Sequence, residues 1–313
     1  MLNYILRRFL HLLPILFVVS FVVFSMLLLL PGDPTVALLG ENASEAQRAA
    51  LRVKMGFDQP IYVQYFRWLT SFLSGDFGRS LRTQEPVREM LLGRIPVTLE
   101  LTFLSMLLSV IVGIPLGIIS ALKRNKLTDS VISVIGMAGI ALPHFWAGIL
   151  LIMLFSVQLG WLPPSGYVPI WEDPIANLQL MVMPCLMIGA SLSALILRQT
   201  RASMLQVMSE DYVRTARAKG ASEFQVIVQH ALRNALIPIV TIIGLQFGGL
   251  IGGVVITEMI FSLPGLGRMI VEGIFERDFA PLQAAILFVV VGTLVINLIT
   301  DLTYAILDKR VKL

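Results

Sequence analysis

Cysteine, histidine and charge are scarce in this sequence, and each shortage removes a class of function. The single cysteine, Cys185, excludes an intrachain disulfide framework and any cysteine-rich metal site. His11, His144 and His230 lie far apart without HExxH spacing, so a histidine-built metal centre would need distant ligands. Charged residues make up 14% of the 313 positions, where an average soluble domain has about 25%. The net charge of +4 is too small to point to nucleic acid. No Gly-Lys dipeptide occurs, so there is no GxxxxGK[ST] phosphate loop and the chain does not hydrolyse ATP by itself. A GxSxG nucleophile elbow is also absent, which removes the simplest signature of an intramembrane serine hydrolase.

What the chain has instead is apolar length, with 56% hydrophobic residues. Runs of about 20 residues cross a hydrocarbon core of ~30 Å as helices. Six such runs are expected, at 9–30, 97–122, 131–158, 178–197, 235–256 and 281–307. None alternates with a period of two, so the fold class is all-α, a polytopic membrane protein with six transmembrane helices. Arg7 and Arg8 before the first run resemble the start of a secretory signal. The run is too long for one, however, and a turn at Pro31, Gly32, Asp33 and Pro34 replaces a cleavage site, so it reads as a retained span.

Basic residues set the orientation. Arg7, Arg8, Lys123, Arg124, Lys126, Arg198, Arg201, Arg214, Arg217, Lys219, Arg233, Lys309, Arg310 and Lys312 all fall in one alternate set of segments. The opposite short loops carry only Arg268 and Arg277. Both termini are therefore expected in the cytoplasm. The resulting organisation is a first transmembrane helix at 1–31, an extracytoplasmic helical segment at 32–96, a core of five transmembrane helices at 97–307 with a cytoplasmic loop at 198–235, and a cytoplasmic tail at 308–313.

The outer segment carries its own signals. Ser44 and Gln47 form a capping box for a helix to Met55, stopped by Gly56 and Pro60. A second helix at 61–73 is one-sided through Ile61, Tyr65, Trp68, Leu69 and Phe72. Pro86 starts the approach to the second span. Together these suggest a small helical cap on the outer face.

Few ionisable groups fall in or near the spans: Glu100 and Glu258 near outer ends, and Asp301 inside the sixth run, one turn after Asn297 on the same face. Gly244, Gly248 and Gly252 form one row of the fifth span and Gly249 and Gly253 a second, with a shorter pair at Gly113 and Gly117. Such rows permit backbone-close helix packing within the chain, and they also suit a path or a dimer seam. Gln246, Gly248, Gly252, Glu258, Asn297 and Asp301 are the candidates for a translocation path.

The most informative stretch is 209–238, SEDYVRTARAKGASEFQVIVQHALRNALIP. Ser209 can cap a helix with Glu210 and Asp211 in its first turn, Gly220 ends it after Lys219, and Ser222 with Gln225 forms a second capping box. Two short helices meeting at a glycine suit insertion into a groove on another protein. A basic surface helix held by anionic lipid is the equal alternative on these grounds.

EDYVRTARAKG followed by HALRNALIP resembles the cytoplasmic coupling loop of binding-protein-dependent ABC importer permeases of the dipeptide and oligopeptide (peptide, nickel and opine) family. MLNYILRR, LPGDP, GDFGRSLRTQEPV, TLEL, GIPLGIISA and TEMIFSLPGLGRMI extend the resemblance along almost the whole chain. It implies a type I ABC importer permease fold in the bacterial inner membrane, in contact with lipid. The partners it implies are a second homologous permease, two ATPase subunits that bind ATP and magnesium, and an extracytoplasmic solute-binding protein. The chain itself would bind no cofactor. ATPase coupling would fall on Glu210, Asp211, Tyr212, Arg214, Thr215, Ala216, Arg217, Ala218, Lys219 and Gly220. The general importer loop has Glu-Ala-Ala before its glycine and Leu-Pro after it, where this chain has Arg214-Thr215-Ala216 and Leu232-Arg233. Leu263 stands where the family often has an aromatic. The expected function is ATP-driven import of short peptides, with glutathione or nickel complexes as alternative cargo. SVQLGWLPPSG is somewhat similar to the glutathione branch. An ion-coupled secondary carrier and an intramembrane hydrolase are the competing classes.

Overall fold

A computed structural model describes residues 2–29, 44–56 and 58–307. The expected turn at Pro31–Pro34 and the basic residues Lys309, Arg310 and Lys312 lie outside the described residues, as do the side chains of Arg7, Arg8 and His11. Helices account for the architecture. They are α1 (Leu2–Leu29), α2 (Glu45–Met55), α3 (Ile61–Leu73), α4 (Val87–Leu122), α5 (Leu127–Ala141), α6 (His144–Gln158), α7 (Pro174–Met208), α8 (Asp211–Ala218), α9 (Glu223–Gly253), α10 (Val255–Ile260), α11 (Leu266–Phe275) and α12 (Phe279–Leu307).

Local chemistry sets the limits of several elements. The Gln47 amide donates to Ser44 Oγ and the Ser44 amide to Gln47 Oε1, closing the capping box that starts α2, and Gly56 at φ 72° ends it. Pro86 precedes the first residue of α4. Asp173 Oδ1 accepts from the Ile175 and Ala176 amides to cap α7, whose first residue is Pro174.

Among the described residues, α4, α7, α9 and α12 are each long and apolar enough to cross a membrane. α1 contributes an apolar stretch at Leu12–Met26. The run expected as a continuous third span is instead α5 and α6, bent by 102°. Pro143 is the cause: it has no amide hydrogen and forces Leu142 into extended backbone at ψ 126°, so an α-helix cannot pass.

α7 is the central helix, with 72% of its apolar window buried against 22–33% for the other three. α4 packs on it at glycine distance. A Cβ on Gly113 would stand 2.8 Å from the Ser193 carbonyl oxygen, and one on Gly117 2.8 Å from that of Leu197. Small polar residues line this seam: Ser105 on α4 lies against Gly189, and Ser193 and Thr200 on α7 lie against Gly113 and Gly117. At its far end Arg201 makes a two-pronged pair with Asp129, 2.8 Å to each carboxylate oxygen, and Ser120 donates to the same carboxylate. A two-pronged pair on a buried carboxylate fixes the α4–α5 corner against α7.

Candidate functional site

α8 stands at the end of the bundle where α7 terminates and α9 begins. Ser209 does not cap it: its hydroxyl donates to the Gln206 carbonyl and closes the last turn of α7, while Glu210 occupies the cap position without a side-chain hydrogen bond. The serine is one residue too early, because the chain turns at Ser209 and enters α8 only at Asp211. Two side chains anchor the helix. Val213 and Ala216 are buried against Val207, Met208, Ala221 and Val226. Tyr212 adds a tether, its hydroxyl accepting from Asn234 Nδ2 at 2.8 Å.

The rest of the expected coupling set points outward. Glu210, Asp211, Tyr212, Arg214, Thr215, Arg217, Ala218, Lys219 and Gly220 are all exposed, and Ala216 is the one member turned inward. Arg217 pairs with Glu223 at 2.8 Å and Arg214 with Asp211 at 3.5 Å, both at the surface, where such pairs contribute little to stability. Gly220 takes φ 83°, the left-handed region that favours glycine, and sends the chain back toward Ser222. The Ser222–Gln225 capping box forms as expected. The helix it starts is not short, however. It continues through a π-helical turn at Val226–Leu232 into Arg233–Gly253, so α8 abuts a single rod of 31 residues.

Of the path candidates, Gly248 and Asn297 are brought together: a Cβ on Gly248 would stand 2.6 Å from Asn297 Oδ1. Gly244 meets Thr300 in the same way, and Thr293 Oγ1 donates to the Gly248 carbonyl. This row therefore serves packing of α9 on α12. Gly252 touches only Val289, at 3.5 Å, and Gly249 and Gly253 face open space. Gln246 and Asp301 are half-buried on α9 and α12.

Glu258 lies elsewhere, fully buried at the opposite end from α8. Its Oε1 accepts from Thr98 Oγ1 at 2.6 Å and its Oε2 from the Arg268 amide at 2.8 Å, with the Gly267 amide also donating. Thr98 in turn accepts from the Leu266 amide. The carboxylate thus caps the N-terminus of α11 from another helix, where the backbone amides and dipole favour negative charge. Gly265 lies against this carboxylate so closely that a Cβ would overlap it.

Sequence reasoning missed these partners, although TLEL and PGLG were both visible as motifs. Also missed was Arg94, which joins Arg268 on Glu272, each at 2.8 Å. Burial pushes the Glu272 carboxyl up, but the two guanidiniums outweigh it and hold the group below its usual value. Asp278 accepts from Ser80 Oγ and the Leu81 amide and Arg82 pairs with Glu276, fastening the segment before α4 to the α11–α12 corner around a cleft of about 170 Å³. Glu100 Oε2 accepts from Tyr167, whereas its Oε1 is buried without a protein partner. Burial and this carboxylate together raise the Tyr167 phenol well above its usual range. No group of three His, Cys, Asp or Glu that could hold a metal occurs among the described residues.

Comparison with known proteins adds a longer-range likeness. Residues 113–313 match the family described as binding-protein-dependent transport system inner membrane component, and residues 1–102 match the N-terminal model of such membrane components. The glutathione transport system permease protein GsiC of Escherichia coli strain K12 is 43% identical over 312 residues, covering 100% of this chain and 99% of that protein. The protein of the same name from Salmonella paratyphi A is 42% identical over the same length and coverage. Among solved structures, the inward-facing MetNI methionine ABC transporter matches with a TM-score of 0.58 at 18% identity, covering 70% of this chain and 96% of the matched one. That likeness shows the fold.

Proposed function

The chain belongs to the binding-protein-dependent transport system inner membrane components, as a multi-pass permease subunit of an ABC importer, and we propose that α8 is its docking element for the ATPase. It is a transport subunit rather than an enzyme, with ATP hydrolysis on separate subunits. The observation that carries the proposal is the form of α8: two buried anchors, a left-handed glycine at its exit and nine outward residues at the tip of the bundle. A short exposed helix held on a rigid rod can pass a displacement of a partner into the spans, as a loop could not.

The working assembly comprises this chain, a second homologous permease, two ATPases that bind ATP and magnesium, and a solute-binding protein. The α8 end and both termini face the cytoplasm, and the α11 end meets the binding protein. The cargo is a short peptide. Glutathione, itself a tripeptide, is favoured by the full-length 43% identity to a permease named for it. The exposed row of Gly249 and Gly253 and the half-buried Gln246 are the α9 residues best placed to line the path. Glu258 and Asn297 act by holding helices in place, and the half-buried Asp301 remains with the residues of the path.

The test is uptake into proteoliposomes containing the complete complex, with labelled glutathione, dipeptides and a nickel chelate compared. ATP-dependent uptake of glutathione or peptides that ionophores leave unchanged supports the reading. Uptake abolished by ionophores and independent of ATP would assign the chain to ion-coupled carriers. Loss of coupling when Arg214 and Arg217 are both changed to Glu, with the complex intact, would support the role of α8.

A further inference from the structure

α3 does not sit as a lid above the bundle. Its inward face meets the flank of α1: Tyr65 is 1% exposed, stacks edge-on with Phe17 and Phe21 at 5.6 and 5.3 Å, and shares a hydrogen bond of 2.8 Å with Ser20 Oγ. Farther along, Phe72 packs against Phe77 at 4.6 Å and Phe288 at 6.4 Å.

These contacts give α3 a depth. Gln283, one turn inside the start of α12, donates to the Val23 carbonyl of α1, so those two residues lie at the same level. Phe17 is six residues below Val23 along α1, about 9 Å at the helical rise, and Phe288 is five residues below Gln283, about 7.5 Å. Tyr65 and Trp68 also pack on Phe24, each at 5.6 Å, so α3 runs beside α1 and α12 from about the Val23–Gln283 level to several ångströms inside it.

The outward face of α3 is apolar except at Thr70, which is exposed between Phe66 and Leu73. Tyr62, Phe66 and Leu73 form a stripe with exposures of 64%, 53% and 77%. The stripe continues the exposed apolar flank of α1 at Phe17, Val18, Phe21 and Val22. Arg67 is the helix's one charge, and its guanidinium turns back to the α2–α3 corner beside Gly56, away from this stripe.

We propose that α3 is an in-plane helix embedded in the leaflet opposite α8, with phospholipid acyl chains covering Tyr62, Phe66 and Leu73. A depth of about 5–10 Å is where amphipathic helices with aromatic faces rest. The helix then acts as a collar, clamping α1 to the bundle from the lipid side. This placement rests on the multi-pass reading of the chain and does not depend on which side α8 faces.

Nitroxide labels at Tyr62→Cys, Phe66→Cys and Leu73→Cys, introduced one at a time into the full complex, test it in vesicles of phosphatidylethanolamine and phosphatidylglycerol. The native Cys185 is buried, and all three labelled positions are exposed, so the Tyr65 side is left untouched. Oxygen accessibility exceeding that of a nickel chelate at all three positions, with the opposite contrast at Arg79 in the loop before α4, is the expected result. Chelate exceeding oxygen at the three sites overturns the proposal in favour of an aqueous cap. Low access to both reagents overturns it in favour of cover by a partner protein. Labels at the exposed Val291 and Val295 of α12 separate the two levels of inference: if these too fail to favour oxygen, the multi-pass reading is what fails.

Discussion

Replacing Gly265 with Ala should damage the protein only while Glu258 is present. Gly265 has φ −100° and ψ −177°, extended backbone that alanine adopts freely, so strain plays no part. The damage is steric, because the new Cβ would fall inside the Glu258 carboxylate. Either the carboxylate leaves Thr98 and the Gly267 and Arg268 amides, or α11 shifts away from α10. Overpacking costs about 1–3 kcal/mol and each buried donor left unmet about the same, so the substitution should cost about 2–4 kcal/mol. Glu258→Ala should cost a comparable amount, since the two amides lose their acceptor. In the Glu258→Ala background, Gly265→Ala places a methyl in vacated space and should cost less than about 0.5 kcal/mol. The coupling between the sites is then about 2–3 kcal/mol. Glu258→Gln, which keeps the volume, should give no such relief. Thermal unfolding at one heating rate in lipid nanodiscs reads this as a drop of about 3–6 °C for Gly265→Ala alone and about 1 °C or less in the alanine background. Equal drops in both backgrounds would refute the capping arrangement.

Gly220→Val places a β-branched residue at φ 83°; uptake should fall while the complex still forms, and unaltered ATP-driven uptake would remove α8 from the coupling role. Gly248→Ala must displace Asn297 and should destabilise by about 1–3 kcal/mol, whereas Gly249→Ala, with open space at its Cβ, should be neutral or stabilising by up to about 1 kcal/mol, as unfolding midpoints would read. The Glu272 carboxyl is held below its ordinary value of 4.5, so its contribution is present in full above that pH and is lost as pH falls through the lowered folded value. Glu272→Gln should flatten the acid limb of a stability–pH curve, and an unchanged limb would show that the Arg94 and Arg268 pairs carry no net interaction.

Local chemistry was legible wherever the residues that decide an element are its neighbours in sequence. The Ser44–Gln47 and Ser222–Gln225 boxes, the limits of α3 and the turn at Gly220 all follow from side chains within a few positions of the backbone they fix. Ser209 was misassigned because two successive turns compete for one hydroxyl, and only the geometry shows that α7 takes it. The bend at Pro143 was open to inference, but apolar length alone concealed it. Glu258 was flagged as a charge near a span end, yet its partner Thr98 lies 160 residues away. No pattern within one segment reports a cap supplied by another. The glycine rows were ambiguous for the same reason: Gly248 and Gly249 differ by which neighbour they face, and that neighbour is on α12.

The π-helical turn at Val226–Leu232 makes residue count at this point a geometric variable. A wider turn holds one residue more than an α-turn over the same stretch of axis, and it survives only while that surplus residue is present. Deleting one residue here would let the rod relax to regular α-helix with the stretch beyond it near its present angle, whereas deleting one residue between Arg233 and Gly244, from the regular helix that follows, would rotate what lies beyond by roughly 100° relative to α8. Only the second deletion would swing Gly244 and Gly248 off Thr300 and Asn297 of α12. The π-turn is thus the place on α9 where a one-residue change of length leaves the angular phase between α8 and the glycine row nearly intact.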